Sequence, residues 1–240
     1  MVQSLTSAKS KFLSLSISVL SLTIIWPFQA VAYDEAQLTR FKAIKKCRSC
    51  DLSSANLTSL GLARADMEGA NLTGANLSKV YLYEANLNGA DLTGANLRLA
   101  NLYKADLYEA NLTGANLKKA NLGYANLKGT NLEGAILEGA NLYKANLEGA
   151  SLNGANLEGA FLEGASLYKA NLKGSVLEGV DLSGADLTGA NLSGAYLYKA
   201  YLFGANLTEA ELRGANLPRS INNAILCRTQ TDWGEVNSGC

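Results

Sequence analysis

The sequence has no histidine, only two prolines and four cysteines in 240 residues, and equal numbers of acidic and basic residues. Without histidine, the usual proton shuttle of catalysis at neutral pH is missing, and no nucleophile stands beside a base. The charge balance gives no argument for nucleic-acid binding. Beyond residue 32, no run is apolar enough over the ~20 residues that a membrane span requires. We therefore expect neither an enzyme, nor a nucleic-acid-binding protein, nor a protein inserted in a membrane after processing.

Residues 1–32 have the pattern of a cleaved secretory signal peptide. A basic start precedes an apolar run over residues 12–26, and the small-residue signature AVA follows at 30–32. That run is short for a membrane span, which leaves an uncleaved anchor as the alternative. Cleavage before Tyr33 would remove two lysines and no acid, so that the mature chain would carry a net charge of −2.

A five-residue repeat fills residues 50–219 without a break, in 34 copies. The central residue, position i, is Leu in every copy except the one with Met67; position i−2 is Ala in 28 copies and position i−1 is Asn or Asp in 24. In a helix, this period would spread the leucines over every face. In an extended segment, i−2 and i point to the same side. Gly, frequent at i+2, suits a turn because it tolerates positive φ.

Four such sides, each followed by a right-angled corner, would close a coil of 20 residues with Leu and Ala inside. Backbones of neighbouring coils would then pair at ~4.8 Å. The unbroken A(N/D)LXX tandem resembles the pentapeptide-repeat family. The resemblance implies an all-β fold, a right-handed quadrilateral parallel β-helix, which for 34 copies means about 8.5 coils.

The two flanks of the repeats are expected to close the ends of the solenoid, since open sheet ends invite polymerisation. Residues 33–49 are predicted to form a short helical cap. Residues 220–240 are predicted to form a C-terminal cap or tail, in which AIL at 224–226 resembles one last inward-facing side. An apolar stripe at helical spacing is expected to lie over the first coil: Leu38, Phe41 and Ile44.

All four cysteines lie in these flanks, and four cysteines allow three pairings. We favour Cys227 with Cys240, tying the tail to the last coil, and Cys47 with Cys50 at the first corner. A redox-active CxxC is the alternative, although the βαβ context is absent and Cys50 takes an inward slot. A zinc site is excluded because its two halves would lie at opposite ends of the solenoid.

The coil period allows the outer surface to be assigned side by side. The side through Leu82, Leu102 and Leu122, here called the aromatic side, has Lys104 and Lys144 at its corner. It carries seven of the twelve aromatic residues of the repeats: Tyr81, Tyr83, Tyr103, Tyr143, Phe161, Tyr201 and Phe203. Exposed aromatics among cations are typical of interfaces, so this side is the candidate docking surface for a protein partner or a second copy. The alternative is that tyrosines merely stack in surface ladders.

One acidic column also follows from the period, because Glu138, Glu158 and Glu178 are 20 residues apart. Cation sites usually need more converging oxygens. We expect a solvated acidic strip there, and no metal or cofactor.

The flanking stretches CRSCDLSSANL and NSGC resemble those of exported cyanobacterial pentapeptide-repeat proteins. The resemblance implies a non-catalytic structural or protein-binding scaffold in the thylakoid lumen or periplasm, with an unidentified protein partner. An alternative is the DNA-mimic class, similar to the quinolone-resistance proteins that bind gyrase. Those are cytoplasmic and strongly acidic on one face, unlike a chain with a signal peptide and a mature charge of −2.

Overall fold

The computed structural model describes residues 35–218, 221 and 223–240. The predicted signal peptide, the first two residues of the expected N-terminal cap and Arg219 lie outside the described residues. The described part contains helix α1 (Glu35–Ile44) and strands β1 (Leu226–Thr231) and β2 (Gly234–Ser238). Among these residues, no helix has the length and apolar character needed to cross a membrane.

Between α1 and β1 the chain winds as a β-helix solenoid. Residues 20 apart form parallel bridges, as Asn71 does with Asp91 and Asp91 with Asn111. Each side pairs through a single residue per coil because a turn follows at once. Regular strands are therefore confined to the C-terminal segment of the described chain.

The interior follows the repeat. Leu at i and Ala at i−2 are buried along the stack up to Leu212, whereas Ala215 and Leu217 of the last copy are partly buried. Met67 takes the place of a leucine without being exposed. Two buried polar residues also occupy the i−2 slot. The Thr130 hydroxyl donates to the Leu127 carbonyl, and the Ser175 hydroxyl donates to the Leu172 carbonyl at 2.7 Å. Each hydroxyl is thus satisfied by the turn that precedes it.

Every corner between residues 54 and 214 places position i+2 at positive φ. Gly74 has φ 64°, and residues with side chains adopt nearly the same angle, such as Leu99 with φ 59° and Lys104 with φ 56°. This is the sign that the third residue of a type II turn requires. Gly is favoured at the corner, but the backbone hydrogen bonds between neighbouring coils hold other residues in the same conformation.

Asn and Asp at i−1 complete the backbone hydrogen bonding. In the pentapeptide 71–75, three N–H groups donate to neighbouring coils at 2.7–2.9 Å and a fourth donates within the turn at 3.0 Å. The fifth, on Thr73, donates to Asn71 Oδ1 at 3.1 Å. The same bond recurs from Ser53, with Asp51, to Thr208. Position i−1 therefore carries the acceptor for the one N–H that the coils leave over.

Helix α1 packs Leu38 and Phe41 into the same hydrophobic core as the first coils. The expectation that Ile44 belongs to this buried stripe is wrong, because its side chain is 48% exposed. Ile44 is the last helical residue, and the chain turns at Lys45, with φ 54°, into the first coil.

At the other end, Ile225 bridges Asn206 and Gln230 bridges Glu211. The offset is 19 residues rather than 20, so the chain resumes the coil one residue out of register, and Leu226 is buried. Strand β2 then pairs antiparallel with β1. This hairpin was not predicted from the sequence.

Candidate protein-binding surface

Four tyrosine rings run along the axis of the solenoid on the aromatic side. Tyr83 and Tyr103 are stacked, with centroids 6.0 Å apart and planes 3° from parallel. Tyr124 meets Tyr103 at 5.6 Å and Tyr143 at 5.5 Å, edge to face in both contacts. We call Tyr83, Tyr103, Tyr124 and Tyr143 the tyrosine ladder.

The ladder is continuous because of Gly123. This residue holds the position that Tyr103 and Tyr143 occupy in the coils on either side. A Cβ at Gly123 would lie 3.2 Å from Tyr103 Cδ2. The Tyr103 ring thus lies against the backbone of Gly123, and the neighbouring Tyr124 ring fills the step between Tyr103 and Tyr143.

Cations stand over the ladder. Lys104 Nζ lies 5.7 Å from the Tyr103 centroid and Lys144 Nζ 5.1 Å from the Tyr143 centroid, both within cation–π range. The Tyr143 hydroxyl raises the pKa of Lys144. An exposed lysine is already charged at neutral pH, and the contact with Tyr143 favours the charged form further. A positive charge therefore lies beside the rings.

The first ring of the ladder is additionally held by an ion pair. Arg64 Nε donates to Glu84 Oε2 at 2.9 Å and the guanidinium lies 6.0 Å from the Tyr83 centroid. Hydrogen bonds from Tyr83 and then Arg64 hold the pKa of Glu84 below its ordinary value. The rings of Tyr83, Tyr103 and Tyr143 are half-buried in these contacts, so they form the floor of the surface rather than its outermost points.

The outermost points are the other four predicted aromatics. Each is between 55% and 66% exposed: Tyr81, Phe161, Tyr201 and Phe203. Three of them, all but Phe203, lie at i−1. There a phenyl or phenol ring replaces the amide or carboxylate that would accept a hydrogen bond from the N–H of residue i+1. These positions give up a hydrogen bond of the fold to present an aromatic ring to solvent.

A groove of about 410 Å³ crosses the aromatic side in its middle. Its lining includes the rings of Tyr143 and Phe161 and the amides of Asn121 and Asn141. Its charged lining residues are Lys119, Glu163 and Asp181. In this groove the predicted docking residues come together with amide groups. Tyr201 and Phe203 are not among its lining residues and lie two coils further along.

The neighbouring side, which precedes the aromatic side in each coil, also carries exposed apolar residues. We call it the charged side; its inward leucines include Leu97, Leu117, Leu137 and Leu157. Nine of the thirteen large exposed apolar residues of the described chain lie on these two sides: Tyr81, Leu99, Tyr124, Ile136, Phe161, Tyr196, Tyr198, Tyr201 and Phe203. The sequence contains a signal for this in AYLYKAYLFG at 195–204, where aromatic residues continue around the corner that the two sides share. It was missed from the sequence because each side was considered separately.

The acidic column is not uniformly solvated. Glu138 Oε2 accepts from Lys118 Nζ at 2.6 Å, and Glu178 lies 3.5 Å from Lys199 Nζ. Lys199 in turn lies 4.8 Å from the Tyr198 centroid. Within the described residues, no cluster of acidic or cysteine side chains suits a metal ion.

The cysteines approach each other in the expected pairs. Cα–Cα distances are 5.3 Å for Cys47 and Cys50 and 4.9 Å for Cys227 and Cys240, within the range that a disulfide requires. Cys47 is buried and Cys50 half-buried, and both line a cavity of about 770 Å³ beside α1. Their oxidation in the native compartment stays a prediction.

Comparisons with solved structures return other coiled proteins of this kind. HetL from the cyanobacterium Nostoc sp. strain PCC 7120, a pentapeptide repeat protein involved in heterocyst differentiation regulation, is 35% identical. The match covers 83% of this chain and 98% of HetL, with a TM-score of 0.43. A pentapeptide repeat protein of the Arabidopsis thaliana thylakoid lumen is 32% identical over 44% of this chain and 68% of its own, with a TM-score of 0.19.

A trypsin-treated form of QnrB1, a plasmid-mediated fluoroquinolone resistance protein, is 20% identical. The match covers 78% of this chain and 89% of QnrB1, with a TM-score of 0.49. No match was found among the curated proteins. The family model described as pentapeptide repeats (8 copies) matches residues 50–219 in overlapping segments. With that match and the identity to HetL, the resemblance drawn from the A(N/D)LXX tandem is confirmed, and the chain belongs to the pentapeptide-repeat family.

Proposed function

We propose that this protein is an exported, non-catalytic scaffold that binds protein partners through the aromatic side and the adjoining charged side. The family to which it belongs consists generally of structural or binding proteins. The observation that carries the proposal is the replacement of the i−1 acceptor by exposed rings at Tyr81, Phe161, Tyr196 and Tyr201.

Such a replacement weakens the fold locally. A backbone hydrogen bond contributes about 0.5–1.5 kcal/mol net, and an exposed ring recovers little of it by burial. Sequences that depart from the fold's own rule commonly do so at functional sites. Rings on a rigid backbone also present contact area with few torsions to immobilise, which favours binding.

The binding role of the ladder follows from its rigidity. Stacked and cation-supported rings at Tyr103, Tyr124 and Tyr143 form a preorganised floor. The exposed rings of Tyr81 and Phe161 stand at i−1 beside it. In protein interfaces, aromatic and cationic residues near the centre commonly supply most of the binding energy.

Export is supported by the pattern of residues 1–32 and by the similar protein of the Arabidopsis thylakoid lumen. We place the mature chain in the thylakoid lumen or periplasm on that basis. In this setting the close cysteine pairs would be oxidised. The helix α1 and the C-terminal hairpin would then act as closures at the two ends of about 8.5 coils.

The test is crosslinking in the organism that makes the protein, comparing the natural chain with Tyr81→Ser, Phe161→Ser, Tyr201→Ser and Phe203→Ser combined. The natural chain should yield crosslinked protein species that the variant loses. A matched control removes aromatics from the side opposite the charged side, with Tyr108→Ser and Tyr168→Ser, and should keep the crosslinked species. Identical crosslinked species in the natural chain and the fourfold variant would contradict the proposal, as would a protein found unprocessed in the cytosol.

A further inference from the structure

The pair Cys47 and Cys50 occupies a corner that the solenoid forms elsewhere without cysteines. In the register of the repeat, Cys47 takes the central position i and Cys50 takes position i−2 of the following copy. At the next corner the same two positions carry Leu52 and Ala55, and Ala55 N donates to Leu52 O at 3.0 Å. The first corner has the same kind of turn, with Ser49 at φ 49°. The turn therefore does not need a disulfide.

Backbone geometry alone brings the two cysteines of this corner together. The ends of a four-residue turn lie within about 7 Å of each other, and the Cα atoms of Cys47 and Cys50 are 5.3 Å apart. Bonds to the next coil hold the corner in place, from Cys47 N to Asp66 O at 2.7 Å and from Ser49 N to Glu68 O at 2.8 Å. We expect the reduced pair to keep this spacing, so that the bridge can open and close without a rearrangement of the fold.

The bridge closes too short a segment to be a strong structural cross-link. Stabilisation by a disulfide rises with the length of the loop that it closes. Cys47 and Cys50 are 3 positions apart, whereas Cys227 and Cys240 are 13 apart and join the two ends of the C-terminal hairpin. What distinguishes the first pair from the Leu and Ala of later corners is therefore its sulfur chemistry.

The two cysteines differ in their access to solvent. Cys47 is 6% exposed, whereas Cys50 is half-buried, and both line the cavity of about 770 Å³ beside α1. Ala70, in the same slot as Cys50 one coil later, is fully buried because a coil lies on each side of it. Cys50 belongs to the first coil, which has another coil on one side only. An incoming thiolate can therefore reach Cys50 more easily than Cys47.

The cavity in front of Cys50 is cationic. Arg40, Lys46 and Arg48 belong to its lining, against a single acid, Asp66. Arg48 is paired with Asp66 at 2.6 Å. Arg40 and Lys46 are exposed and make no ion pair within the part of the chain that the structure describes. Cations favour the thiolate that leaves when a disulfide is attacked, and they attract a partner of opposite charge.

We propose that Cys47 and Cys50 form a thiol–disulfide exchange centre, which transfers its bridge to a pair of thiols on a protein with acidic residues around its cysteines. A partner thiolate attacks Cys50, which forms a mixed disulfide and releases the Cys47 thiolate. The second partner thiolate attacks the partner sulfur of the mixed disulfide and releases the Cys50 thiolate. Two electrons pass from the partner's thiols to the two cysteines, which take up the two protons, and the partner leaves with a disulfide. This activity goes beyond the proposed binding function and does not depend on the aromatic side.

The experiment uses the full chain and two reduced peptide dithiols that differ only in charge, one with glutamates and one with lysines beside the cysteines. After alkylation, mass spectrometry locates the reduced cysteines of the protein. At low salt the acidic peptide should reduce the Cys47–Cys50 bridge about tenfold faster than the basic peptide, because complementary charge raises association rates. In about 1 M salt the difference should disappear, since charges are then screened within about 3 Å. Equal rates at low salt overturn the proposal, as does a bridge that neither peptide reduces.

Single variants separate the roles of the two cysteines. With the oxidised acidic peptide, Cys47→Ser should accumulate a mixed disulfide through Cys50, because the thiol that would resolve it is missing. Cys50→Ser leaves only the buried Cys47 and should trap about tenfold less peptide, since burial lowers reactivity. Equal trapping by the two variants would refute the exchange centre.

The matched control installs the residues that the repeat places at later corners, with Cys47→Leu and Cys50→Ala. It should lose exchange at this corner, while hydrogen exchange of the α1 amides stays within about threefold of the natural chain, because the corner forms without the bridge. Much faster exchange in α1 would identify the bridge as a structural cross-link and overturn the inference. This variant should also keep the crosslinked species that depend on the aromatic side. The exchange centre can thus fail while the proposed binding function stands, and the reverse.

Discussion

The hydrogen bond from the N–H of residue i+1 to the side chain at i−1 can be restored by substitution at a position where the natural residue cannot accept it. Phe161 stands in the same column as Asn121 and Asn141, whose Oδ1 atoms accept from Gly123 N at 3.1 Å and Tyr143 N at 2.9 Å. A phenyl ring cannot accept from the corresponding N–H, that of Glu163. Phe161→Asn provides the acceptor, whereas Phe161→Ala removes the ring without providing one.

Both variants lose the same ring contacts, so their difference isolates the new bond. A net hydrogen bond contributes 0.5–1.5 kcal/mol, and we expect the free energy of unfolding of Phe161→Asn to exceed that of Phe161→Ala by about 1 kcal/mol. Equilibrium unfolding in guanidinium chloride measures this difference from the midpoints, provided that the slopes are equal. Equal slopes also show that both variants unfold over the same number of coils.

The control pair is Glu163→Asn against Glu163→Ala, at a position whose side chain points outward and serves no backbone N–H in the pattern. These two should differ by less than about 0.5 kcal/mol, as surface substitutions usually do. Coincident midpoints for the two Phe161 variants would refute the assignment of i−1 as the acceptor for the remaining N–H. So would a difference of the same size at Glu163.

Three further outcomes follow from the coil. Leu107→Ala should lower the free energy of unfolding by about 2–5 kcal/mol in the same denaturant assay, because Leu107 is fully buried and the stacked coils leave little room to collapse. Gly94→Ala should cost about 1 kcal/mol from backbone conformation alone, since φ is +63° and an added Cβ meets nothing within 4 Å; Leu99→Gly, at φ 59°, should not destabilise, and a loss there would contradict the strain argument. Hydrogen bonds from Thr93 hold the pKa of Asp91 below its ordinary value. The stability that this carboxylate contributes is therefore complete above the unfolded pKa of ~3.9 and is lost as the pH falls through the folded pKa; Asp91→Asn keeps the acceptor and should flatten that loss in unfolding curves recorded at decreasing pH.

The sequence by itself determined the solenoid. Its period of five, its buried Leu and Ala and its outward i−1, i+1 and i+2 positions all follow from local geometry repeated without interruption. Because each coil is in contact only with its neighbours, a local rule becomes a global one. The offset at Ile225 was also legible, since AIL repeats the inward pattern one residue early.

The tertiary structure decided what depends on neighbours across coils. It showed that Asn71 serves the N–H of Thr73, a role invisible in a list of outward positions. It showed that the tyrosine ladder is continuous at Gly123 because Tyr124 contacts both Tyr103 and Tyr143. It also showed that Ile44, at the end of α1, is exposed. It also joined the aromatic and charged sides at one corner, because a side chain's surroundings are set by residues 18 to 22 positions away as much as by those beside it. The surface that we propose for binding exists only once those distant residues are stacked.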